Sequence, residues 1–132
     1  QYKNLDIRIA IGLGEVSYTG QKVTESNGEA FQYSGDAFDN LNKRTLAIRG
    51  VDDSDVYAIQ TMFDLAMLTA NNWTVTVAQL VKMYIENTDK QQQEIAQLLN
   101  KSQSTVSETL SRSGYDEIIA VQTYYKQLID QL

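Results

Sequence analysis

Residues 94–107 read Glu-Ile-Ala-Gln-Leu-Leu-Asn-Lys-Ser-Gln-Ser-Thr-Val-Ser, and no other stretch of the chain limits its fold so tightly. The spacing predicts two short helices meeting at a tight turn, the unit that can lay a recognition helix in the DNA major groove. Ala96 is small where the two helices must approach. Leu99 precedes Asn100, a residue type that tolerates the left-handed backbone a turn needs. Ser102 can then cap the second helix by accepting a backbone N–H, and Val106 falls four residues later, facing back toward Ala96 and Leu99. The outward face of the second helix carries Gln103, Ser104, Thr105, Ser107, Glu108, Ser111 and Arg112, with Lys101 and Ser102 at its entry. Amides, hydroxyls and guanidiniums read base edges and hold phosphates. The same unit in other proteins packs only against protein, and that reading stays open.

Charge and composition narrow the field further. The chain has 132 residues and no Cys or His, so thiol chemistry, disulfides and the commonest general base and metal ligand are absent together. A net charge of −6 argues against a protein that clings to nucleic acid by bulk electrostatics. Within residues 88–113, however, Lys90, Lys101 and Arg112 balance Asp89, Glu94 and Glu108. The neutral region is the one proposed to touch phosphate. No run of about 18 apolar residues occurs, so no membrane span is expected and a cytoplasmic protein is the reading. The chain opens Gln1-Tyr2-Lys3-Asn4 without an initiator Met and nears a strand at once. It is therefore expected to be an N-terminally truncated fragment.

Along the chain, residues 5–13 alternate, with Leu5, Ile7, Ile9 and Ile11 expected on one buried face of a strand. Gly12 and Gly14 break it, and residues 15–18 continue as a short extended segment. After a loop and an Asn27-Gly28 turn, Ala30, Phe31, Ser34, Ala37, Phe38 and Leu41 recur at helical spacing. Residues 45–48 form a second strand. Val56, Ile59, Met62, Phe63, Ala66 and Met67 make an apolar helical stripe, and Val77, Leu80, Val81, Tyr84 and Ile85 make another, capped by Thr74 or Thr76. A last helix follows Gly114, with Ile118, Val121, Tyr125, Leu128, Ile129 and Leu132. The fold class is α+β. Residues 1–51 form a partial α/β segment, and residues 54–132 form an all-helical domain with the helix-turn-helix at about 91–113. Two or three strands do not make a stable sheet alone, so the preceding sequence is expected to supply the rest.

Other candidate sites read more simply as structure. Gly12-Leu13-Gly14 lacks the third glycine of a dinucleotide loop and the Gly-Lys-Ser/Thr of a Walker loop, which leaves a turn or bulge. Asp52, Asp53 and Asp55 suit a solvated loop with a helix cap better than a cation cage, because no further ligands are spaced for one. Tyr124, Tyr125 and Trp73 read as packing residues rather than base-stacking platforms. Neither a metal site nor a cofactor is assigned.

Ile-Arg-Ile-Ala-Ile-Gly-Leu-Gly-Glu-Val at 7–16, followed by Gly28-Glu29-Ala30-Phe31, resembles the second half of a nucleotide cyclase catalytic domain. That family carries Asn and Arg where this chain has Gln32 and Asp36. An acid where a guanidinium should stabilise developing charge repels a triphosphate, so the resemblance implies a cyclase-like scaffold without its chemistry. Residues 4–12, residues 25–31 and the Gln103-Ser104-Thr105-Val106-Ser107 turn unit together resemble the SatD-like family of bacterial regulators. The likeness implies a cyclase-like α/β part followed by a C-terminal helix-turn-helix, with an Asp-rich N-terminal segment preceding it.

The expectation that follows is a non-catalytic transcriptional regulator that binds double-stranded DNA. Gln103 and Ser104 reach base edges, while Lys101, Thr105 and Arg112 hold phosphates. Ile118, Tyr125, Ile129 and Leu132 on the last helix can pair two copies as a homodimer. The alternative is a protein- or ligand-interaction module with a degenerate helix-turn-helix.

Overall fold

A computed structural model describes residues 6–16, 21–22, 27–51 and 54–131. It is a mixed α+β structure, mostly helical among those residues, with the order β1 (Ile9–Gly12), α1 (Glu29–Asp39), β2 (Leu46–Arg49), α2 (Ser54–Ala70), α3 (Val75–Glu86), α4 (Gln92–Leu98), α5 (Gln103–Ser113) and α6 (Tyr115–Asp130). Two compact units divide the chain, residues 1–67 and 68–132, and α2 runs across the division. No helix among the described residues is long and apolar enough to cross a membrane.

In the first unit, β1 and β2 pair in parallel, with Ile9 opposite Leu46 and Ile11 opposite Ile48. A parallel pair needs a crossover, and α1 supplies it. The packing face of β1 differs from the expected one. Ile7 and Ile9 are 62% and 51% exposed, whereas Ala10 joins the cluster of Ala37, Leu41 and Ala47. Steric fit decides this. A Cβ placed on Gly12 would lie 2.0 Å from the Ala30 carbonyl oxygen and 2.5 Å from the Ser34 nitrogen. Helix α1 therefore approaches the sheet on its small-residue side, and the isoleucines face the other way. Leu5 lies outside the described residues. Phe38, expected on the apolar face of α1, is exposed. Ala37 and Leu41, of the same expected stripe, on that helix and just past its end, are buried as read.

The inner stripe of α2 is as read, with Ile59 and Phe63 buried. Its outer side is also apolar: Tyr57, Leu65 and Leu68 are all exposed.

The second unit is built on Leu80, Val81, Ile95, Ala96, Val106 and Leu110, with Trp73, Val77, Tyr84, Leu99 and Tyr115 packed around them. The six buried residues come from α3, α4 and α5, two from each helix. Thr74 caps α3 by accepting the Val77 N–H at 3.3 Å. Tyr84 and Tyr115 meet edge to face, with ring centroids 5.4 Å apart. Ile85, expected in the α3 stripe, is exposed.

Candidate nucleic-acid interface

The turn between α4 and α5 is closed at both ends by local hydrogen bonds. At the start of α4, the Gln91 N–H donates to Glu94 Oε2 at 2.7 Å, so a carboxylate sits at the positive end of the helix. At its end, Asn100 adopts φ 52°. The Lys101 N–H then donates to the Ala96 carbonyl at 2.9 Å and the Asn100 N–H to the Gln97 carbonyl at 3.1 Å. These two bonds make a Schellman motif, which satisfies carbonyls the helix leaves open. The chain turns at once into α5. Ser102 accepts the Thr105 N–H at 3.2 Å, as its position in the sequence requires.

The residues on either side of the turn are deeply buried. Ile95 and Val106 have no exposed surface and Ala96 keeps 3%. Ala96 lies within the buried cluster of α3, α4 and α5, where added side-chain volume would overpack the core. The far end of α5 is held as firmly. The Trp73 indole N–H donates to the Ser113 carbonyl at 2.8 Å, and the Ser113 hydroxyl donates to the Leu110 carbonyl at 2.7 Å. Gly114 takes φ 70° and breaks the chain into α6. Trp73 thus packs, as read, and also caps a helix end, a role its sequence position did not signal.

With that side anchored, Lys101, Ser102, Gln103, Ser104, Thr105, Ser107, Glu108, Ser111 and Arg112 are all exposed. They lie on one solvent-facing side of α5 and its entry turn. Three hydroxyls gather at the helix start, Ser102 Oγ lying 3.1 Å from Ser104 Oγ and 2.7 Å from Thr105 Oγ1. Their geometry offers both donors and acceptors to a polar surface.

Electrostatics is where this face departs from the simple reading. Arg112 is held by Glu108 one turn earlier, through Nη2 to Oε1. Both side chains remain mostly exposed, at 78% and 63%, so the pair is weak, about 0.3–0.5 kcal/mol. It nonetheless sets a carboxylate beside the guanidinium that the sequence reading assigned to phosphate. Lys101 makes no ion pair among the described residues. In the same unit, Lys82 pairs with Glu86 at 3.7 Å, and the Lys90 ammonium donates to Asn87 Oδ1 at 2.9 Å.

The residues set against cyclase chemistry lie elsewhere. Asp36 pairs with Arg49 at 3.2 Å, and Gln32 is an exposed residue of α1. Asp52 and Asp53 lie outside the described residues, and no cluster of three or more metal-binding side chains occurs among the described ones. Comparison with protein-family models, with curated proteins and with solved structures finds no match.

Proposed function

We propose that this chain is a non-catalytic, cytoplasmic transcriptional regulator of the SatD-like kind, and that α5 binds double-stranded DNA in the major groove. The observation that carries the reading is the anchoring of α5. Its apolar side is locked by Val106 and Leu110, while nine polar side chains on the other side stay open to solvent. Gln103 and Ser104 are placed at the leading end, where a recognition helix reaches base edges. Lys101, Thr105 and Arg112 lie beside them for phosphate oxygens. Two copies paired through α6 would match a palindromic site. Ile118, Tyr125 and Ile129 there are half-buried, and Leu132 lies outside the described residues.

Gel-shift titration against genomic fragments at low salt tests this. The expected result is retardation by the native chain that is lost in a Gln103→Ala, Arg112→Ala double variant. Equal retardation by both, or none by either, ends the proposal.

A second reading has its own support. The Glu108–Arg112 pair and the net charge of −6 suit a face that docks protein instead of phosphate. On that reading a protein partner binds through residues 103–112, and high salt leaves its affinity nearly unchanged.

A further inference from the structure

Gly28 is the N-cap of α1, and Asn27 before it is the one asparagine of the chain that a glycine follows. That pair has a chemistry of its own. The main-chain nitrogen after an asparagine can attack the side-chain carboxamide and close a five-membered imide ring. Glycine favours the attack because it has no Cβ to crowd the approach and adopts backbone angles closed to other residues.

The local geometry holds the reacting atoms together. The Gly28 N–H donates to Asn27 Oδ1 at 2.8 Å. Carbon Cγ lies one carbonyl bond, about 1.2 Å, beyond that oxygen. Nitrogen and carbon are therefore within about 4 Å of each other, close to the separation of a near-attack pair. Asn27 is exposed, so hydroxide and water reach its carboxamide, whereas Gly28 is buried. Gly28 is fixed at φ 131° and ψ 168°, and its carbonyl accepts the Gln32 N–H at 3.2 Å. An unfolded chain brings the same two atoms together only in a fraction of its conformers.

Asn40, Asn72 and Asn87 are arranged differently. Each donates its Nδ2 to a carbonyl four residues upstream, those of Asp36, Leu68 and Met83, at 2.7–2.8 Å. Leu41, Trp73 and Thr88 follow them, and each of these carries a Cβ.

We propose that Asn27 is a site of spontaneous deamidation in the folded chain, through a succinimide closed by Gly28. Hydroxide removes the Gly28 amide proton, and the bond from that nitrogen to Cγ forms. The bond from Cγ to Nδ2 breaks, and Nδ2 leaves as ammonia with a proton from water, which restores the hydroxide. Water then opens the ring. Opening at Cγ gives aspartate, and opening at the main-chain carbonyl of residue 27 gives isoaspartate. Overall one water enters and one ammonia leaves, with no change of oxidation state. Isoaspartate routes the main chain through the side-chain carbon and so adds a methylene just ahead of Gly28. The entry to α1, where the Ala30 N–H donates to the Glu15 carbonyl at 3.2 Å, then loses its fit.

Incubating the whole chain in native buffer between pH 6 and pH 8, then mapping its fragments by mass spectrometry, tests this independently of any DNA result. The amide at residue 27 should be lost at least tenfold faster than those at Asn40, Asn72 and Asn87, at a rate proportional to hydroxide, with both aspartate and isoaspartate formed. In concentrated urea the rate at residue 27 should fall several-fold, because the proximity is lost. Asn27→Gln, which would have to close a larger ring, should keep its amide. The isoaspartate form should melt below Asn27→Asp, whose main chain is unaltered. The proposal is overturned by loss at residue 27 no faster than at the other asparagines, by a rate indifferent to pH, by faster loss in urea than in the folded chain, or by aspartate without isoaspartate. Equal melting of the isoaspartate form and Asn27→Asp would overturn its effect on α1.

Discussion

Glu108 is the residue on which the DNA reading turns most finely. A carboxylate on the exposed side of α5 repels phosphate and also holds Arg112. Glu108→Gln keeps the shape while freeing the guanidinium, and one more phosphate contact steepens the salt dependence of log K by about 0.9. The expected result is several-fold tighter DNA binding at low salt and a steeper slope, read from anisotropy titrations between 50 and 200 mM salt, the range over which such contacts are strongly felt. Unchanged affinity would mean that Arg112 does not reach the backbone. Asp64 makes a different residue-scale prediction. A hydrogen bond from Arg44 holds its carboxyl below the ordinary carboxylate range; burial opposes the shift and a hydrogen bond from Gln60 adds to it. A lowered folded value stabilises the fold above the unfolded carboxyl's pKa near 4, and that contribution is lost as pH falls through the folded value. Both partners are well exposed, so the effect stays under about 1 kcal/mol. Denaturant titrations from pH 6 down to pH 2 should show a smaller acid loss for Arg44→Gln than for the native chain.

At the scale of elements, glycine and asparagine mark where geometry outranks side-chain chemistry. Gly12→Ala should destabilise strongly, because the new methyl group meets backbone atoms of α1 that have no rotamer to change. Thermal unfolding should lose more than the roughly 1 kcal/mol typical of an ordinary substitution. Asn100→Gly should be tolerated, since glycine meets the φ of 52° without strain. Asn100→Val should cost about 1–2 kcal/mol there, because the left-handed region crowds a branched Cβ. Circular dichroism melts check the pair of arguments: Asn100→Gly should melt close to the native chain, and Asn100→Val and Gly12→Ala clearly below it.

For the whole molecule, the two units carry separate apolar clusters. Leu41 anchors one beside Ala37 and Ala47, and Ile95 sits in the other among Leu80, Val106 and Leu110. Each Leu or Ile to Ala change should cost about 2–5 kcal/mol. Because the clusters share no residue, the Leu41→Ala, Ile95→Ala double variant should lose the sum to within about 0.5 kcal/mol. Chemical denaturation of the four chains measures this, and a large departure from additivity would show one cooperative core.

The turn unit was legible because all its signals are local. Ala96, Asn100, Ser102 and Val106 lie within eleven residues of one another, and capping, the left-handed turn and helical periodicity act over that range. The edge of β2 was not legible, because Gln60 meets residues 46 and 48 only after α2 has folded back. The Glu108–Arg112 pair, by contrast, is local: a Glu one turn before an Arg on a helix is a spacing the sequence displays. The strand face failed for a related reason: alternation marks two faces, and the closeness of α1, set by Gly12, chose between them. By itself, then, the sequence determined the elements and the turn, whose energetics are short-range. Which faces meet, what covers the edge of β2, and the pairing of Arg44 with Asp64 and of Arg49 with Asp36 were decided by tertiary structure, through contacts between residues distant in the chain.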